Sequence, residues 1–284
     1  MSITTLGIVG SGIMGSGIAE VAAKSGIEVI LRSRQQGTAD AMVAGLEKSL
    51  AKQVERGKLE EAVAKEISSR VSATDDLHAL HECDLVLESV VEDLAVKQEL
   101  FTRLDDILKP EAILATNTST LPVVEMAMAT ERPDKVVGIH FSNPAPMMSL
   151  VEVIAPLTAS EATVEAAKAF ATGCGKDVVE VKDRAGFIVN ALLFPYLNNA
   201  VRMLEAGTAN RDDIDTAMKG GCNFPMGPLA LLDLVGLDTS LSILDALYEE
   251  FKDPNYAAMP LLRRMVAAGQ LGRKSGAGFF DYKR

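Results

Sequence analysis

The chain reads Leu-Gly-Ile-Val-Gly-Ser-Gly-Ile-Met-Gly over residues 6–15, an apolar run followed by three spaced glycines. In such a turn the first glycine permits a sharp bend, the second lets the backbone approach a pyrophosphate, and the third lets the next helix pack on the strand. Apolar residues at helical spacing and a second apolar strand near residues 28–31 follow, as this motif requires. The sequence therefore predicts a dinucleotide site at a helix N-terminus. The residues expected to form it are Gly10, Ser11, Gly12, Ile13, Met14 and Gly15.

The end of the second predicted strand lacks the acidic residue that usually completes this motif. That residue lies about 20 positions after the glycines and hydrogen-bonds the ribose 2′-OH. Here the chain has Arg32, Ser33 and Arg34, and the first carboxylate comes only at Asp40. A carboxylate would repel a 2′-phosphate, whereas a hydroxyl and a guanidinium would bind one. We therefore expect NADP(H) to be favoured over NAD(H). The alternative is that both arginines are solvated loop charges and that NAD binds less tightly.

The composition of the 284 residues restricts the class of protein. A net charge of −11 argues against nucleic acid as a partner. No apolar stretch approaches the ~20 residues that a membrane span needs. The first residues show no basic segment followed by an apolar one, so we expect no cleaved signal peptide. Cys83, Cys174 and Cys222 lack metal-type spacing, which predicts buried thiols, no metal site and a cytoplasmic location.

Short apolar strands alternate with helical patterns from Leu6 to about Val181. This alternation predicts an α/β domain with a mostly parallel, Rossmann-type sheet covered on both faces. Residues 38–70 are too many for a plain crossover and predict two helices, hinged near residues 56–58, that project as a hairpin. The predicted strands are Leu6–Val9, Val29–Leu31, Leu85–Val90, Ile113–Thr116, Val136–Phe141, Val151–Ile154 and Val178–Val181.

The pattern changes after Arg184, where helical periodicity and turn signals replace the apolar strands. We therefore expect a dinucleotide-binding domain over residues 1–183 and a separate all-helical domain over residues 184–284.

His140 lies at the end of a predicted strand, and ligands of open α/β sheets bind outside the carboxyl ends of the strands. Glu152 interrupts the next apolar run, and a buried carboxylate is costly unless it is paired. A pair of these two residues would satisfy the carboxylate, fix the imidazole tautomer and raise its basicity, as a general base requires. The alternative is a structural histidine, which is the commoner role at a strand end.

Polar residues also follow two other strands that are predicted to end at this edge. Asn117, Thr118 and Ser119 follow one strand, and Glu92 and Lys97 follow the other. Serine and threonine are also frequent helix caps, which is the structural alternative for this group.

A basic stripe is predicted on the first helix of the hairpin, where Lys48, Lys52 and Arg56 recur every four residues and share one face. In an acidic chain, such a local cluster is a candidate anion site. The alternative is a solvated face on which Glu47, Glu55 and Glu60 balance these charges.

Several motifs form a combined pattern: Asn117-Thr118-Ser119, His140-Phe141-Ser142-Asn143-Pro144 with Glu152 twelve residues on, the run from Asp183 to Asn190, Pro225-Met226-Gly227-Pro228, and Gly272-Arg273-Lys274-Ser275-Gly276. Over essentially the whole chain, this pattern resembles the signature of the 3-hydroxyacyl-CoA dehydrogenases. The length, without a fused hydratase domain, is most similar to the bacterial 3-hydroxybutyryl-CoA dehydrogenases. One departure is Ser33, which stands where the family usually keeps its ribose-binding aspartate.

The resemblance implies an oxidoreductase of fatty acid or butanoate metabolism. It would interconvert a (3S)-3-hydroxyacyl-CoA, of short chain such as 3-hydroxybutyryl-CoA, and the 3-ketoacyl-CoA by hydride transfer with a nicotinamide cofactor. His140 would be the general acid/base, Glu152 its orienting partner, and Ser119 and Asn190 would hydrogen-bond the substrate. A homodimer formed through the C-terminal domain is also implied. The nicotinamide and ribose side would be lined by Glu92, Lys97, Asn117, Asn143 and Lys274, and the CoA phosphates would be held by Ser49, Lys52 and Arg56.

Three other functions stay open on the sequence. One is a two-domain β-hydroxyacid dehydrogenase, for which Lys97 is the obvious candidate base. Another is a gulonate-type or crystallin-like relative that acts on a sugar acid or serves structurally, and that has no need of the basic stripe. The third is a nucleotide-binding protein without turnover.

Overall fold

The computed structural model describes residues 2–282, which divide into one compact unit that ends at Asp183 and a second that starts at Arg184. No helix within these residues is long and apolar enough to cross a membrane.

The first unit is built on an eight-stranded sheet, which confirms the predicted α/β class. The strand order is β3-β2-β1-β4-β5-β6-β7-β8. Neighbouring strands from β3 to β6 are parallel, β7 runs antiparallel to β6, and β8 is again parallel to β7. The strands are β1 Thr5–Val9, β2 Glu28–Arg32, β3 Val71–Thr74, β4 Leu85–Glu88, β5 Ile113–Thr116, β6 Val136–Phe141, β7 Leu150–Ala155 and β8 Asp177–Lys182.

The third strand, Val71–Thr74, was not predicted. It has four residues, of which only Val71 is a large apolar side chain, and it pairs with one neighbour at the end of the strand order. A short strand with one neighbour needs no continuous apolar run, so its sequence carries little signal.

Six helices accompany the strands of the first unit. The central strands are covered on both sides, since β4, β5 and β6 are buried along their whole length. The helices are α1 Ile13–Lys24, α2 Gln36–Glu55, α3 Glu61–Ser69, α4 Leu94–Ile107, α5 Val123–Ala127 and α6 Glu161–Gly173.

Helices α2 and α3 form the predicted hairpin, but it does not project freely. Met42, Leu46 and Leu50 lie four residues apart, share one face of α2, and are buried in the same apolar core as α1 and the sheet. The expectation that the hairpin projects from the domain is therefore wrong for α2, because its apolar face packs on the core. The turn between the helices uses Gly57 at φ +66°, a backbone conformation that favours glycine.

The second unit is helical. Its core is formed by fully buried leucines such as Leu197, Leu232 and Leu244. The helices are α7 Val189–Glu205, α8 Arg211–Cys222, α9 Pro228–Val235, α10 Leu237–Phe251 and α11 Pro260–Ala267.

A buried carboxylate holds the C-terminal segment of the second unit. Asp233 is 1% exposed and accepts hydrogen bonds from the backbone N–H groups of Phe279 and Phe280, both at 2.9 Å, and from the hydroxyl of Tyr282 at 3.1 Å. A Cβ at Gly278 would lie 1.9 Å from this carboxylate, so only glycine lets the segment approach so closely.

The cysteines differ from one another in exposure. Cys83 and Cys174 are buried, and burial raises the pKa of the Cys83 thiol to about 12 and that of Cys174 to about 11. Cys222 is exposed, so the expectation of three buried thiols is wrong at this position. It is the last residue of α8, where the chain leaves the core.

Candidate active site

The glycine turn lies directly after β1. Gly10 has φ +139°, and a Cβ there would stand 2.1 Å from the carbonyl oxygen of Ser89. A Cβ at Gly15 would lie 2.6 Å from the carbonyl oxygen of Gly10, so α1 packs against the turn. Both positions therefore require glycine for steric reasons.

The start of α1 suits an anion. A Cβ at Gly12 would meet no atom within 4 Å, so this side of the turn is open. No side chain caps the helix N-terminus there, which leaves its first N–H groups available to a phosphate. A cavity of about 670 Å³ opens over Gly10, Ser11 and Gly12. The turn, the helix end and the cavity fit the pyrophosphate and adenosine of a dinucleotide.

The end of β2 forms one wall of this cavity. Ser33 is 6% exposed, and its backbone N–H donates to the carbonyl oxygen of Thr74 at 3.1 Å. The Nε of Arg32 donates to the carbonyl oxygen of Asp75 at 3.2 Å, which leaves the end of this guanidinium for another partner. Burial lowers the pKa of Arg32. Arg34 is exposed and lines the same cavity. All three predicted residues thus face one space.

The structure brings His140 and Glu152 together. They are directly opposite each other in the antiparallel β6–β7 ladder, and His140 Nδ1 lies 2.8 Å from Glu152 Oε2. The carboxylate is 1% exposed and the imidazole 8%. Because a carboxylate only accepts hydrogen bonds, Nδ1 is the donor, and Nε2 is left without a proton in the neutral ring.

Ser119 lies at the second nitrogen of this imidazole. Its Oγ is 3.0 Å from His140 Nε2, so the hydroxyl donates to the neutral ring. The backbone N–H of Ser119 donates to Glu92 Oε1 at 2.9 Å, and the hydroxyl of Thr118 donates to the same oxygen at 2.5 Å. Glu92 therefore fixes the loop that presents Ser119 to the histidine.

A buried ion pair supports Glu92 from the other side. Lys97 is 1% exposed, and its Nζ lies 2.6 Å from Glu88 Oε1 and 3.3 Å from Glu92 Oε2. The hydroxyl of Thr116 donates to Glu88 Oε2 at 2.7 Å. The ammonium of Lys97 is thus directed into the protein between two carboxylates rather than into the cavity.

Glu88 and Thr116 were not among the predicted site residues. They are register partners at the last positions of β4 and β5. The signal that could have found them is a polar residue at the end of each of two adjacent apolar strands, since such ends meet at one edge of a parallel sheet. Arg103 and Glu99, which also line the cavity, were missed as well.

Two asparagines predicted for the cofactor side lie at the same edge. The side-chain oxygen of Asn117 accepts the backbone N–H of Phe141 at 2.8 Å, which ties the end of β5 to β6. Asn143 follows β6 and is exposed.

The residues predicted to hold CoA phosphates differ in their surroundings. The hydroxyl of Ser49 donates to Glu20 Oε2 at 2.9 Å, so its only proton is already engaged. Hydrogen bonds from Lys24, Gln53 and Ser49 outweigh the burial of Glu20 and lower the pKa of its carboxyl. Ser49 is therefore a poor phosphate donor in this conformation. The residues of the basic stripe are exposed: Lys48 and Lys52 lie on α2, and Arg56 directly follows its last residue.

Asn190 and Lys274 belong to the second unit. Asn190 is the second residue of α7 and is partly exposed. The Nζ of Lys274 donates to Asp238 Oδ2 at 2.6 Å.

Family models match both units of the chain. The model described as 3-hydroxyacyl-CoA dehydrogenase, NAD binding domain, matches residues 5–184, and the model described as 3-hydroxyacyl-CoA dehydrogenase, C-terminal domain, matches residues 186–282.

The proteins that are similar to this chain include 3-hydroxybutyryl-CoA dehydrogenases. A 3-hydroxybutyryl-CoA dehydrogenase of Clostridioides difficile is 48% identical over 279 residues, which are 98% of this chain and 99% of that protein. The crystal structure of FadB2 of Mycobacterium tuberculosis has a TM-score of 0.97 at 48% identity, with all of both chains covered. That of the (S)-3-hydroxybutyryl-CoA dehydrogenase PaaH1 of Ralstonia eutropha has a TM-score of 0.97 at 40% identity, again over the whole of both chains. The chain therefore belongs to the 3-hydroxyacyl-CoA dehydrogenase family, whose members are oxidoreductases that use a nicotinamide cofactor.

Proposed function

We propose that this protein interconverts a (3S)-3-hydroxyacyl-CoA and the corresponding 3-ketoacyl-CoA, with a short acyl chain such as that of 3-hydroxybutyryl-CoA. The names of its relatives support the substrate class. The observation that carries the chemistry is the chain of contacts from Glu152 through both nitrogens of His140 to Ser119. A histidine oriented by a carboxylate on one nitrogen, with a hydroxyl on the other, is an arrangement for moving a proton to or from a substrate oxygen.

In the oxidative direction, His140 Nε2 accepts the proton of the substrate's C3 hydroxyl. Ser119 Oγ, now 3.0 Å from that nitrogen, holds the same oxygen through a hydrogen bond. Glu152 keeps its hydrogen bond to Nδ1 and stabilises the imidazolium that forms. In the reductive direction the charged His140 returns the proton to the 3-keto oxygen. A bound nicotinamide cofactor supplies the hydride chemistry at C3.

A positioning role in this proposal belongs to the buried residues Lys97, Glu88 and Thr116 and to the exposed Glu92. Glu92 receives hydrogen bonds from the backbone of Ser119 and the side chain of Thr118, and Lys97 holds Glu92 in place. The resemblance puts Glu92 and Lys97 on the nicotinamide and ribose side. The contacts support a role in which they set the position of the loop rather than contact the substrate.

The remaining roles rest on the resemblance. Asn117 and Asn143 would line the nicotinamide side, as would Lys274, and Asn190 would hydrogen-bond the substrate. Lys52 and Arg56 would hold the CoA phosphates, and Ser49 would join them once its hydroxyl releases Glu20. We also propose a cytoplasmic homodimer that forms through the C-terminal unit, which size-exclusion chromatography with light scattering tests directly.

The cofactor preference is part of the proposal. We propose that NADP(H) is used in preference to NAD(H), because Arg32, Ser33 and Arg34 line the adenosine end of the cavity and no carboxylate occupies the end of β2. Charge-assisted hydrogen bonds from guanidinium groups favour a 2′-phosphate.

A lysine base, as in the two-domain β-hydroxyacid dehydrogenases, has little support. Lys97 is 1% exposed and is held at 2.6 Å by Glu88, so it cannot reach a substrate without breaking a buried ion pair.

A two-by-two assay tests the proposed function, with NADH and NADPH against acetoacetyl-CoA and a long-chain 3-ketoacyl-CoA. We expect turnover with acetoacetyl-CoA, and more with NADPH. Absence of turnover with every combination, in protein that binds nucleotide, would instead favour a non-catalytic binding protein. Turnover of a sugar acid without turnover of any acyl-CoA would favour the gulonate-type alternative.

A further inference from the structure

The wall of the dinucleotide cavity that faces the end of β2 is formed by helix α4. Val96, Glu99, Leu100 and Arg103 line the cavity and recur at intervals of three and four residues, so they form one face of the helix. The cavity thus has arginines on two separate elements, Arg32 and Arg34 at the strand end and Arg103 on the helix.

Carboxylates balance these charges only in part, since Asp75 and Asp76 act on Arg32 alone, where their negative charge raises its pKa. Three guanidinium groups line the cavity, and Glu99 is its single acidic residue. Within residues 2–282, neither Arg34 nor Arg103 makes an ion pair or a guanidinium hydrogen bond. Arg132, outside the cavity, shows the contrast, because its guanidinium is engaged with Asp105 and with three backbone carbonyl groups.

The positive charge of Arg103 also affects the ionisation of Arg32. After burial, the positive charge of Arg103 is the largest influence that lowers the pKa of Arg32. Like charges that line one partly desolvated cavity repel, and a bound anion would relieve the repulsion. Such an arrangement costs free energy in the unliganded protein and returns it on binding, which suits a ligand site better than a structural one.

We propose that Arg103 is a specificity-determining residue, which together with Arg32 and Arg34 forms a two-sided site for the 2′-phosphate of NADP(H). This inference rests on the proposed preference for NADP(H). A phosphate monoester offers three acceptor oxygens, so guanidinium groups from opposite walls can each bind different oxygens of one group. Glu99 disfavours the anion slightly, and its removal should strengthen phosphate binding.

The test uses the adenosine fragments of the cofactor, so that it does not depend on catalysis. Isothermal titration compares 2′,5′-ADP with 5′-AMP, two ligands that differ by the 2′-phosphate, on the intact chain and its variants. We expect the unmodified protein to bind 2′,5′-ADP more tightly than 5′-AMP. Arg103→Ala should weaken 2′,5′-ADP by about tenfold and change 5′-AMP by less than about twofold, the loss of one charge-assisted hydrogen bond.

Three variants complete the design. Lys65→Ala removes one exposed positive charge from α3, outside the cavity, and should leave both affinities unchanged. Arg103→Lys keeps the charge without the planar fork and should retain part of the preference. Glu99→Gln should tighten 2′,5′-ADP and leave 5′-AMP unaltered. Because Arg103 is exposed, thermal melting should show that Arg103→Ala folds normally.

The outcomes separate this inference from the proposed function. If the unmodified protein does not distinguish the two fragments, the NADP(H) preference itself is wrong. If it prefers 2′,5′-ADP, and Arg103→Ala keeps the full preference, Arg34 and Arg32 suffice and the role of Arg103 is wrong. Equal weakening of both fragments by Arg103→Ala would assign the arginine to the adenine ring and also overturn the inference.

Discussion

Glu152 accepts a hydrogen bond from His140 Nδ1 at 2.8 Å because the two residues are opposite each other in the only antiparallel pair of the described sheet. The backbone ladder, rather than a loop, sets this distance. Side chains directly opposite on one face of an antiparallel pair lie close enough to touch. The orientation of the imidazole is therefore built into the sheet, and a change at either residue should leave the fold intact.

Replacement of His140 by glutamine should remove the group that moves the substrate proton. We expect kcat to fall by about 100-fold or more, while the dissociation constant of the nicotinamide cofactor changes little. Steady-state kinetics and fluorescence titration of NADPH measure the two quantities. A variant that keeps the wild-type kcat would show that another residue is the base.

Glu152→Gln should have a smaller effect. The glutamine amide can hold Nδ1 only through its oxygen and brings no charge to stabilise an imidazolium. We expect a kcat that is lower than that of the wild type but higher than that of His140→Gln, together with an altered pH–rate profile. Asp93→Asn is a suitable control, because Asp93 caps α4 at the same edge without contacting the histidine. A profile identical to that of the wild type would contradict the orienting role.

Lys52→Ala tests the basic stripe on α2. The exposed ammonium of Lys52 would meet a phosphate of CoA that a truncated pantetheine thioester lacks. We expect the KM for acetoacetyl-CoA to rise while the KM for the pantetheine thioester stays unchanged, and the difference to shrink at high salt because exposed charge contacts are screened. Lys65→Ala, on the neighbouring helix α3, serves as the control. Equal effects on both thioesters would mean that the stripe is a solvated face.

The lowered pKa of Asp84 predicts that this residue stabilises the first unit near neutral pH and that the contribution is lost in acid. Burial disfavours its ionisation, but hydrogen bonds from Lys109 and from the backbone and hydroxyl of Thr4 outweigh burial and lower its pKa to about 2. Because the carboxyl ionises more readily in the folded chain, its contribution is complete above the ordinary value of ~3.9 and is lost as pH falls toward 2. A lowering of the pKa to about 2 corresponds to at most about 2.5 kcal/mol at neutral pH, and solvent screening reduces this value.

Urea unfolding at several pH values measures this contribution. We expect Asp84→Asn to be less stable than the wild type at pH 6, with a difference that shrinks steadily between pH 4 and pH 2. Asp106→Asn, an exposed substitution on α4, should show no such pH-dependent difference. A difference that is constant with pH would assign the effect to packing instead of ionisation.

The sequence predicted those parts of the structure that depend on local pattern. The glycine turn follows from steric demands at Gly10 and Gly15 that are visible as residue identity. His140 and Glu152 could be associated because each breaks an apolar run. The α/β class follows from the alternation of strands and helices, whereas β3 escaped prediction because a four-residue strand with one neighbour needs no apolar run.

The parts that escaped prediction depend on which surfaces face each other. Glu88 and Thr116 are neighbours only through the register of β4 and β5. Lys97 is a charged residue on a polar helix, and its burial between two carboxylates follows from the position of α4 over the sheet edge. Arg103 lies 69 positions from Arg34 in the sequence, and only the folded chain shows that both line one cavity.

The predicted preference for NADP(H) depends on the residues that follow β2. Ser33 occupies a buried position at the strand end, where a carboxylate would accept the ribose 2′-OH and repel a 2′-phosphate. Arg34 is exposed at the cavity and free of any ion pair among the described residues. Charge-assisted hydrogen bonds of about 1.5–3 kcal/mol each correspond to roughly ten- to over a hundredfold in preference.

We therefore expect kcat/KM with NADPH to exceed that with NADH. Arg34→Ala should lower kcat/KM with NADPH and leave NADH unaffected, since NADH has no 2′-phosphate for Arg34 to bind. Ser33→Asp should reverse the preference, because it supplies a carboxylate at the ribose and repels the phosphate. Ser33→Ala, which changes size little and adds no charge, is the matched control: it removes only the hydroxyl and should keep most of the preference for NADPH. A wild type that prefers NADH, with no change in Arg34→Ala, would show that the arginines are solvated charges and that the missing carboxylate alone does not alter the choice of cofactor.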